Sequence, residues 1–285
     1  MKYAILNGEF VERSQAKVDI EDRGYQFGDG IYEVIRVYNG TMFAEQDHLL
    51  RLVECAKKIN LVLSLSIAEM KKQLQTLIVK NELGFGIVYL QFTRGVAPRN
   101  HAFPVPSTIG SFVAYTKELE RPLTSINSGI KAALVDDIRW FHCDIKSLNL
   151  LGNLLAKQQA VEAGCGEAIL HRDKTITEGS SSNISIIKNG VLRTHQADRY
   201  ILNGITRQQM LAICRKNEIT VEEKAFTVEE LLSADEVFIS STTAEITPVV
   251  EISGTKIGNG VPGSITTKLQ HLLEAEIKLQ CGPIQ

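Results

Sequence analysis

The 285-residue sequence is as informative for what it lacks as for what it holds. It contains no G-x-x-x-x-G-K-[ST] and no G-x-G-x-x-G, so neither a nucleotide P-loop nor a dinucleotide fingerprint applies. Its five cysteines, Cys55, Cys143, Cys165, Cys214 and Cys281, are odd in number, scattered and never at metal-ligand spacing. They imply no disulfide framework and no metal site, and are expected as reduced thiols of a cytoplasmic protein. No block of like charge occurs and the formal net charge is −2, which argues against nucleic acid or an anionic membrane as partner. No window approaches 18 uninterrupted apolar residues, so no membrane span is expected. The opening residues Met1 to Leu6 meet the turn dipeptide Asn7-Gly8 at once and lack the apolar run of a secretory leader. Internal repeats and low-complexity tracts are missing too.

What remains is an ordinary globular composition, 44% hydrophobic and 22% charged, on a chain long enough for two cores. Strand signals open it: Tyr3–Leu6 before Asn7-Gly8, then Ile31–Tyr38 before Asn39-Gly40, both dipeptides suited to type I′ hairpins. Leu49, Leu52, Val53, Ala56 and Ile59 recur at helical spacing. A second helix is predicted from an N-cap at Ser66 to Asn81. Ile87–Thr93 and Ile109–Tyr115 read as buried strands. The chain turns polar over residues 118–128, where a domain boundary is placed. Beyond it, strands are predicted at 130–135, 167–171, 183–187, 191–195, 236–240 and 248–252. Helices are predicted from Asn149 to Ala163 with Gly164 after the end, from Thr206, after the capping box at Thr227–Glu230, and from Ser264. Strands with inserted helices, rather than strict alternation, predict an α+β class. The expected division is a smaller α+β domain over 1–120 and a larger C-terminal, cofactor-binding domain over 121–285.

Three features carry chemistry. Lys146, in Asp144-Ile145-Lys146-Ser147, precedes the helix predicted near Asn149, and the positive end of a helix disfavours a lysine cation. A neutral amine is what Schiff-base chemistry needs; on spacing alone, a solvated loop lysine is the favoured reading. The stretch Thr177-Glu178-Gly179-Ser180-Ser181-Ser182-Asn183 is predicted as a loop between apolar strands. Its carboxylate beside hydroxyls suits a cationic heteroatom and a polar ligand, although Gly, Ser and Asn also build ordinary turns. Two segments could cradle a phosphate: Asn203-Gly204-Ile205-Thr206, which opens a helix, and Ser240-Ser241-Thr242-Thr243, which follows a strand. Together these point to a phosphorylated ligand and a reactive lysine.

Four blocks in order extend that reading. They are Glu21-Asp22-Arg23-Gly24-Tyr25-Gln26-Phe27-Gly28-Asp29-Gly30; Asp137-Ile138-Arg139-Trp140 through Asp144-Ile145-Lys146-Ser147-Leu148-Asn149; Thr177 to Asn183; and Ser241-Thr242-Thr243-Ala244-Glu245-Ile246-Thr247-Pro248. Over nearly the whole chain this closely resembles the fold-type IV pyridoxal-phosphate enzymes, and within them bacterial D-amino-acid transaminases. The resemblance implies two domains, with pyridoxal 5'-phosphate in the cleft between them, and a homodimer. Lys146 is similar to the lysine that carries the cofactor as an aldimine and performs the 1,3-proton shift. Glu178 is similar to the carboxylate that keeps the pyridine nitrogen protonated. Arg51, the amides of Ile205 and Thr206, and Ser241 with Thr242 resemble the phosphate grip; Arg51 lies off the apolar stripe of its helix, where a solvated arginine is the plain alternative. Arg139, Ser181 and Leu202 resemble cofactor-lining residues. Tyr32, Arg99 and His101 resemble the trap for a D-amino acid's α-carboxylate, with a basic surface loop as the alternative for the last two. Arg36 stands where relatives tend to carry lysine, which changes donor geometry but not charge.

The implied reaction takes the amino group of D-alanine to 2-oxoglutarate, giving pyruvate and D-glutamate, as in supply of bacterial cell-wall precursors. An L-branched-chain transaminase and an aminodeoxychorismate lyase share the fold and stand as alternatives.

Overall fold

The computed structural model describes residues 2–284 and divides into two compact units. The first comprises Met1–Glu120 with Ile145–Asn149 and Ile277–Gln285, the second Arg121–Asp144 with Leu150–Glu276.

In the first unit the chain runs β1 (Tyr3–Leu6), β2 (Glu9–Glu12), α1 (Arg23–Phe27), β3 (Gly30–Tyr38), β4 (Thr41–Met42), α2 (Glu45–Lys58), α3 (Ile67–Lys80), β5 (Gly86–Thr93) and β6 (Phe112–Glu118). The strands form one antiparallel sheet in the order β2-β1-β6-β5-β3-β4. Both hairpins turn as predicted, with Asn7 and Gly8 at φ 51 and 89, and Asn39 and Gly40 at φ 49 and 73. Two consecutive positive φ values are what a type I′ turn demands. α3 starts on the capping box of Ser66 and Glu69. α2 packs on β3, and α3 on β1 and β6. Between helices and sheet lies a core of Ile31, Ile35, Val37, Leu49, Leu52, Leu74, Leu77 and Leu90.

The second unit runs α4 (Leu123–Ser128), β7 (Ile130–Asp136), α5 (Leu151–Glu162), β8 (Glu167–Arg172), β9 (Thr175–Gly179), β10 (Asn183–Lys188), β11 (Val191–Thr194), α6 (Ile205–Lys216), β12 (Val221–Glu223), α7 (Val228–Leu232), β13 (Glu236–Ser241), β14 (Glu245–Ile252), β15 (Thr255–Lys256) and α8 (Ser264–Cys281) up to Glu276, the rest of α8 being counted with the first unit. Its mixed sheet is ordered β12-β11-β10-β13-β14-β7-β8-β9, with β15 on β14. β7, α5 and β8 make a parallel crossover, and α5 approaches closely because Ala133, Ala156, Ala160 and Ala168 line the contact. The main core gathers Ile169, Ile176, Ile184, Ile186, Phe226, Val237 and Ile239. Sheets with helices segregated in this manner make an α+β protein. Among the described residues no helix is long and apolar enough to cross a membrane.

Several details differ from the sequence expectation, among them these. The polar stretch after residue 118 contains α4, which ends at Gly129 with φ 78. β6 starts at Phe112 rather than Ile109. Glu178 stands on β9, not in a loop, because Thr175–Gly179 pairs with β8.

Candidate active site

Two clusters, one in each unit, contain the candidate residues. In the first unit Lys146 lies on a segment that pairs with β3. Its carbonyl accepts from Tyr32 N at 3.0 Å, Leu148 N donates to Gly30 O at 3.0 Å, and Ile31 and Ser147 form an antiparallel bridge. Its own amide donates to Cys55 Sγ at 3.4 Å. Nζ lies 4.3 Å from the Tyr32 ring centroid. This corrects one expectation: α5 begins at Leu151, while Ile145–Asn149 belongs with β3 in the first unit. Lys146 is therefore placed beside β3 and not at a helix terminus.

Arg51 is buried, not solvated. Its Nε and Nη2 donate to Glu33 Oε1 and Oε2 at 2.7 and 2.8 Å. His48 Nδ1 also meets Glu33 Oε2 at 2.8 Å, and since the carboxylate only accepts, Nδ1 carries the proton. Burial works to raise the Glu33 carboxyl, but Arg51 and His48 overcome it and hold it at about 2. Burial lowers His48 against the pull of Glu33. Neither Glu33 nor His48 stands out in the sequence. A signal is present all the same: Glu33 lies in the run of β3 that also carries Ile31, Ile35 and Val37 on its buried face, where a charge needs a partner.

Arg99 and His101 are exposed in the segment between β5 and β6. Both meet Phe27, the Arg99 guanidinium at 4.4 Å and the His101 ring at 5.5 Å between centroids. Arg23 fixes their backbone, donating to the carbonyls of Asn100 at 2.6 Å, Ala102 at 3.4 Å and His101 at 3.4 Å, and to Asp29 at 2.8 Å. Among the described residues no hydrogen bond or ring contact joins this pair to Tyr32, which instead stacks on Tyr89 at 5.7 Å. Arg36 is 1% exposed, its guanidinium 5.3 Å from the Tyr38 ring.

In the second unit Glu178 is the centre. Oε1 accepts from Arg139 Nη1 at 2.6 Å; Oε2 accepts from Asn183 Nδ2 at 3.1 Å and Leu202 N at 3.0 Å. Burial pushes its carboxyl up to about 7, with Arg139 restraining the rise. Arg139 is held in turn by Asp137 through Nε and Nη2, both at 2.9 Å, and Asp137 also accepts from Thr177 Oγ1 at 2.9 Å and Arg172 Nε at 3.2 Å. Arg139 thus meets the carboxylate rather than standing apart from it.

The serine run divides. Ser180, Ser181 and Ser182 all donate to the buried carboxylate of Glu167, Ser182 at 2.8 Å and Ser181 at 3.4 Å. Only Ser181 of the three is exposed, so the other hydroxyls shape the turn instead of facing a ligand.

α6 begins at Ile205 after Gly204, as the sequence predicts within a residue, and Ile205 and Thr206 occupy its first turn. No side chain caps it and no acidic residue lies in that turn, whereas Asp22, Ser66 and Thr227 cap α1, α3 and α7. Its leading N–H groups are suited to an anion. Ser241 ends β13 and Thr242 follows it; both are half-buried, with Ser241 Oγ accepting from Ala244 N at 3.1 Å. The second unit thus offers an anion cradle, a buried carboxylate that Arg139 alone does not keep fully ionised, and the apolar Leu202. Together they fit an aromatic cation bearing a phosphate.

Comparison with known proteins agrees. The class IV amino-transferase family matches residues 30–252. A D-alanine aminotransferase of Staphylococcus haemolyticus is 49% identical over 270 residues, covering 95% of this chain and 96% of its own. Another from Listeria monocytogenes is 50% identical over 283 residues, covering 99% and 98%. Among solved structures, a branched-chain amino acid aminotransferase of Escherichia coli superimposes with a TM-score of 0.92 at 28% identity, covering 100% of this chain and 96% of that one. The T.th. branched-chain enzyme, solved with pyridoxamine 5'-phosphate, gives 0.90 at 25% identity, covering 96% and 93%. This chain belongs to the class IV amino-transferases.

Proposed function

We propose that this chain transfers the amino group of D-alanine to 2-oxoglutarate, giving pyruvate and D-glutamate, with pyridoxal 5'-phosphate as cofactor. The observation that carries the cofactor is Glu178, a buried carboxylate that its surroundings push up to about 7. Such a group asks for a cationic partner, and a protonated ring nitrogen supplies one. The D-alanine aminotransferases at 49% and 50% identity over almost the full chain support the substrate class.

When bound, the cofactor supplies an electron-withdrawing ring that stabilises negative charge at the substrate's Cα. The residues supply the rest. Lys146 Nζ would hold the cofactor and, once the substrate's amine has displaced it, would as a free amine take the proton from Cα and return it. Glu178 would hold a proton on the cofactor's ring nitrogen, and Arg139 with Asp137 keeps the carboxylate aimed. Arg51, the amides of Ile205 and Thr206, and the hydroxyls of Ser241 and Thr242 hold the phosphate. Leu202 would offer its apolar side chain to the ring, and Ser181 would line the same site. Tyr32, Arg99 and His101 take the α-carboxylate, Arg99 with its planar fork. Because a single lysine serves one face, the pocket that receives the carboxylate decides which enantiomer presents its Cα proton.

The working enzyme is a cytoplasmic homodimer, which sedimentation of the purified protein tests. The reaction is tested by following pyruvate from each alanine enantiomer with 2-oxoglutarate. Pyruvate from D-alanine alone supports the reading; consumption of L-leucine with D-alanine untouched overturns it. The branched-chain enzymes, at 28% and 25% identity, share the fold without favouring that second outcome. Pyruvate from aminodeoxychorismate without an amino acceptor would mark a lyase instead.

A further inference from the structure

Asn183, the first residue of β10, is 3% exposed and makes more use of its amide than a strand position requires. Nδ2 donates to Glu178 Oε2 at 3.1 Å and to Leu202 O at 2.8 Å. Leu202 N donates to that same Oε2 at 3.0 Å. These three bonds close a ring that joins β9, β10 and the turn leading into α6. The two acceptors around Nδ2 fix which way the amide points. Oδ1 then faces Gly204, where an added Cβ would overlap it. Gly204 has φ −62 and ψ 140, a backbone any residue adopts. The next nearest atoms are in ordinary contact, Asn183 Cγ at 3.4 Å and Arg207 Cβ at 3.7 Å. Glycine at 204 is therefore required by Asn183 Oδ1, not by the backbone.

Each end of the ring also has its own support. Arg139 holds Glu178 Oε1 at 2.6 Å. Arg207, 1% exposed, holds the approach to α6 by donating to Asn203 Oδ1 at 3.2 Å, His195 O at 2.8 Å and Glu223 at 2.8 Å. What Asn183 adds is the second bond between them. With Leu202 N alone the turn can pivot about one hydrogen bond; with Asn183 it cannot.

We infer that Asn183 is a positioning residue that sets the span between the Glu178 carboxylate and the first amides of α6, and that Gly204 is glycine to let it do so. This rests on the cofactor reading above: a stiff ligand held at a ring nitrogen and a phosphate gains from both ends only when the two grips are correctly spaced. A fragment holding one end is indifferent to that spacing.

The experiment compares apoenzyme of the parent, Asn183→Ala, Gly204→Ala and the double variant. Affinity is measured for pyridoxal 5'-phosphate by absorbance titration. It is also measured for inorganic phosphate and for pyridoxal, each as a competitor of cofactor loading. Misplacing one grip relative to the other predicts that either single variant binds pyridoxal 5'-phosphate about 10- to 100-fold more weakly. Phosphate and pyridoxal should stay within about two-fold of the parent, since each grip keeps its own support. The double variant should be no worse than Asn183→Ala, because removing Oδ1 makes room for the new Cβ. Three results overturn the inference: unchanged cofactor affinity in the single variants, loss of fragment affinity in parallel with it, or additive losses in the double variant. Should Asn183→Ala not fold, Asn183→Ser, too short to reach both acceptors, replaces it with the same expectations. Parent apoenzyme that does not take up pyridoxal 5'-phosphate overturns the cofactor reading itself, and this inference with it.

Discussion

Glu33 accepts both Nε and Nη2 of Arg51, at 2.7 and 2.8 Å, from a position on β3 next to Tyr32. A guanidinium proposed to hold a phosphate is thus already oriented by a carboxylate with no solvent exposure.

Removing that carboxylate should be costly. Glu33→Gln leaves Arg51 and His48 without their charge partner in the interior, and breaking a buried pair costs about 3–5 kcal/mol. Urea unfolding of the apoenzyme should show a loss of that order, together with weaker cofactor uptake. Parent stability in the variant would remove Glu33 from this role.

The acid side follows from the same carboxylate. Its value in the folded chain, about 2, lies below its ordinary 4.5, so its contribution is complete above 4.5 and is lost as pH falls from there towards 2. The displacement corresponds to about 3 kcal/mol. Asp137, also held at about 2 against burial by Arg139, adds to the slope from 3.8 downwards. Unfolding midpoints between about pH 6 and about pH 3 should fall less steeply in Glu33→Gln than in the parent; parallel slopes would contradict the assignment.

Glu178 has the opposite sign. Its carboxyl is raised from 4.5 to about 7, so the stability it contributes to the apoenzyme is present below 4.5 and is lost as pH rises to 7. Glu178→Gln should flatten that loss and leave the apoenzyme more stable at neutral pH by up to about 3 kcal/mol. Its loaded form should keep cofactor yet lose most of its turnover. A variant that turns over as the parent does would break the link between Glu178 and the ring nitrogen.

Lys146→Ala should abolish turnover, and borohydride treatment of the loaded parent should fix the cofactor on the peptide containing Lys146. Label on any other lysine, or undiminished activity in the variant, refutes its role.

Arg99→Ala should raise KM for D-alanine far more than it disturbs cofactor affinity. A collapse of cofactor binding with KM unchanged would move Arg99 from the substrate carboxylate to the cofactor.

Much of this is legible in the residues, for identifiable reasons. The asparagine-glycine turns, the Ser66 N-cap, the Thr227 capping box and the start of α6 are short-range signals, and each stands within a residue of where the sequence puts it. The setting of Lys146 escapes a local reading because it is long-range: the segment pairs with β3, far earlier in the chain, and no local pattern encodes that ladder. Glu178 reads as a loop residue because Gly and Ser follow it, whereas the pairing of Thr175–Gly179 with β8 decides the matter. The hydroxyls of Ser180 and Ser182 look available only because Glu167 is not adjacent in sequence. Arg51 looks solvated because its partner Glu33 lies on another element.

Arg23 has a thermodynamic consequence. By binding the carbonyls of Asn100, His101 and Ala102 and the carboxylate of Asp29, it holds an exposed segment in one conformation before any ligand arrives. Ordering a loop on binding costs entropy, and here that ordering is already complete. The proposed carboxylate trap would then engage small and large D-amino acids at a similar entropic cost, leaving the side-chain pocket to discriminate among them.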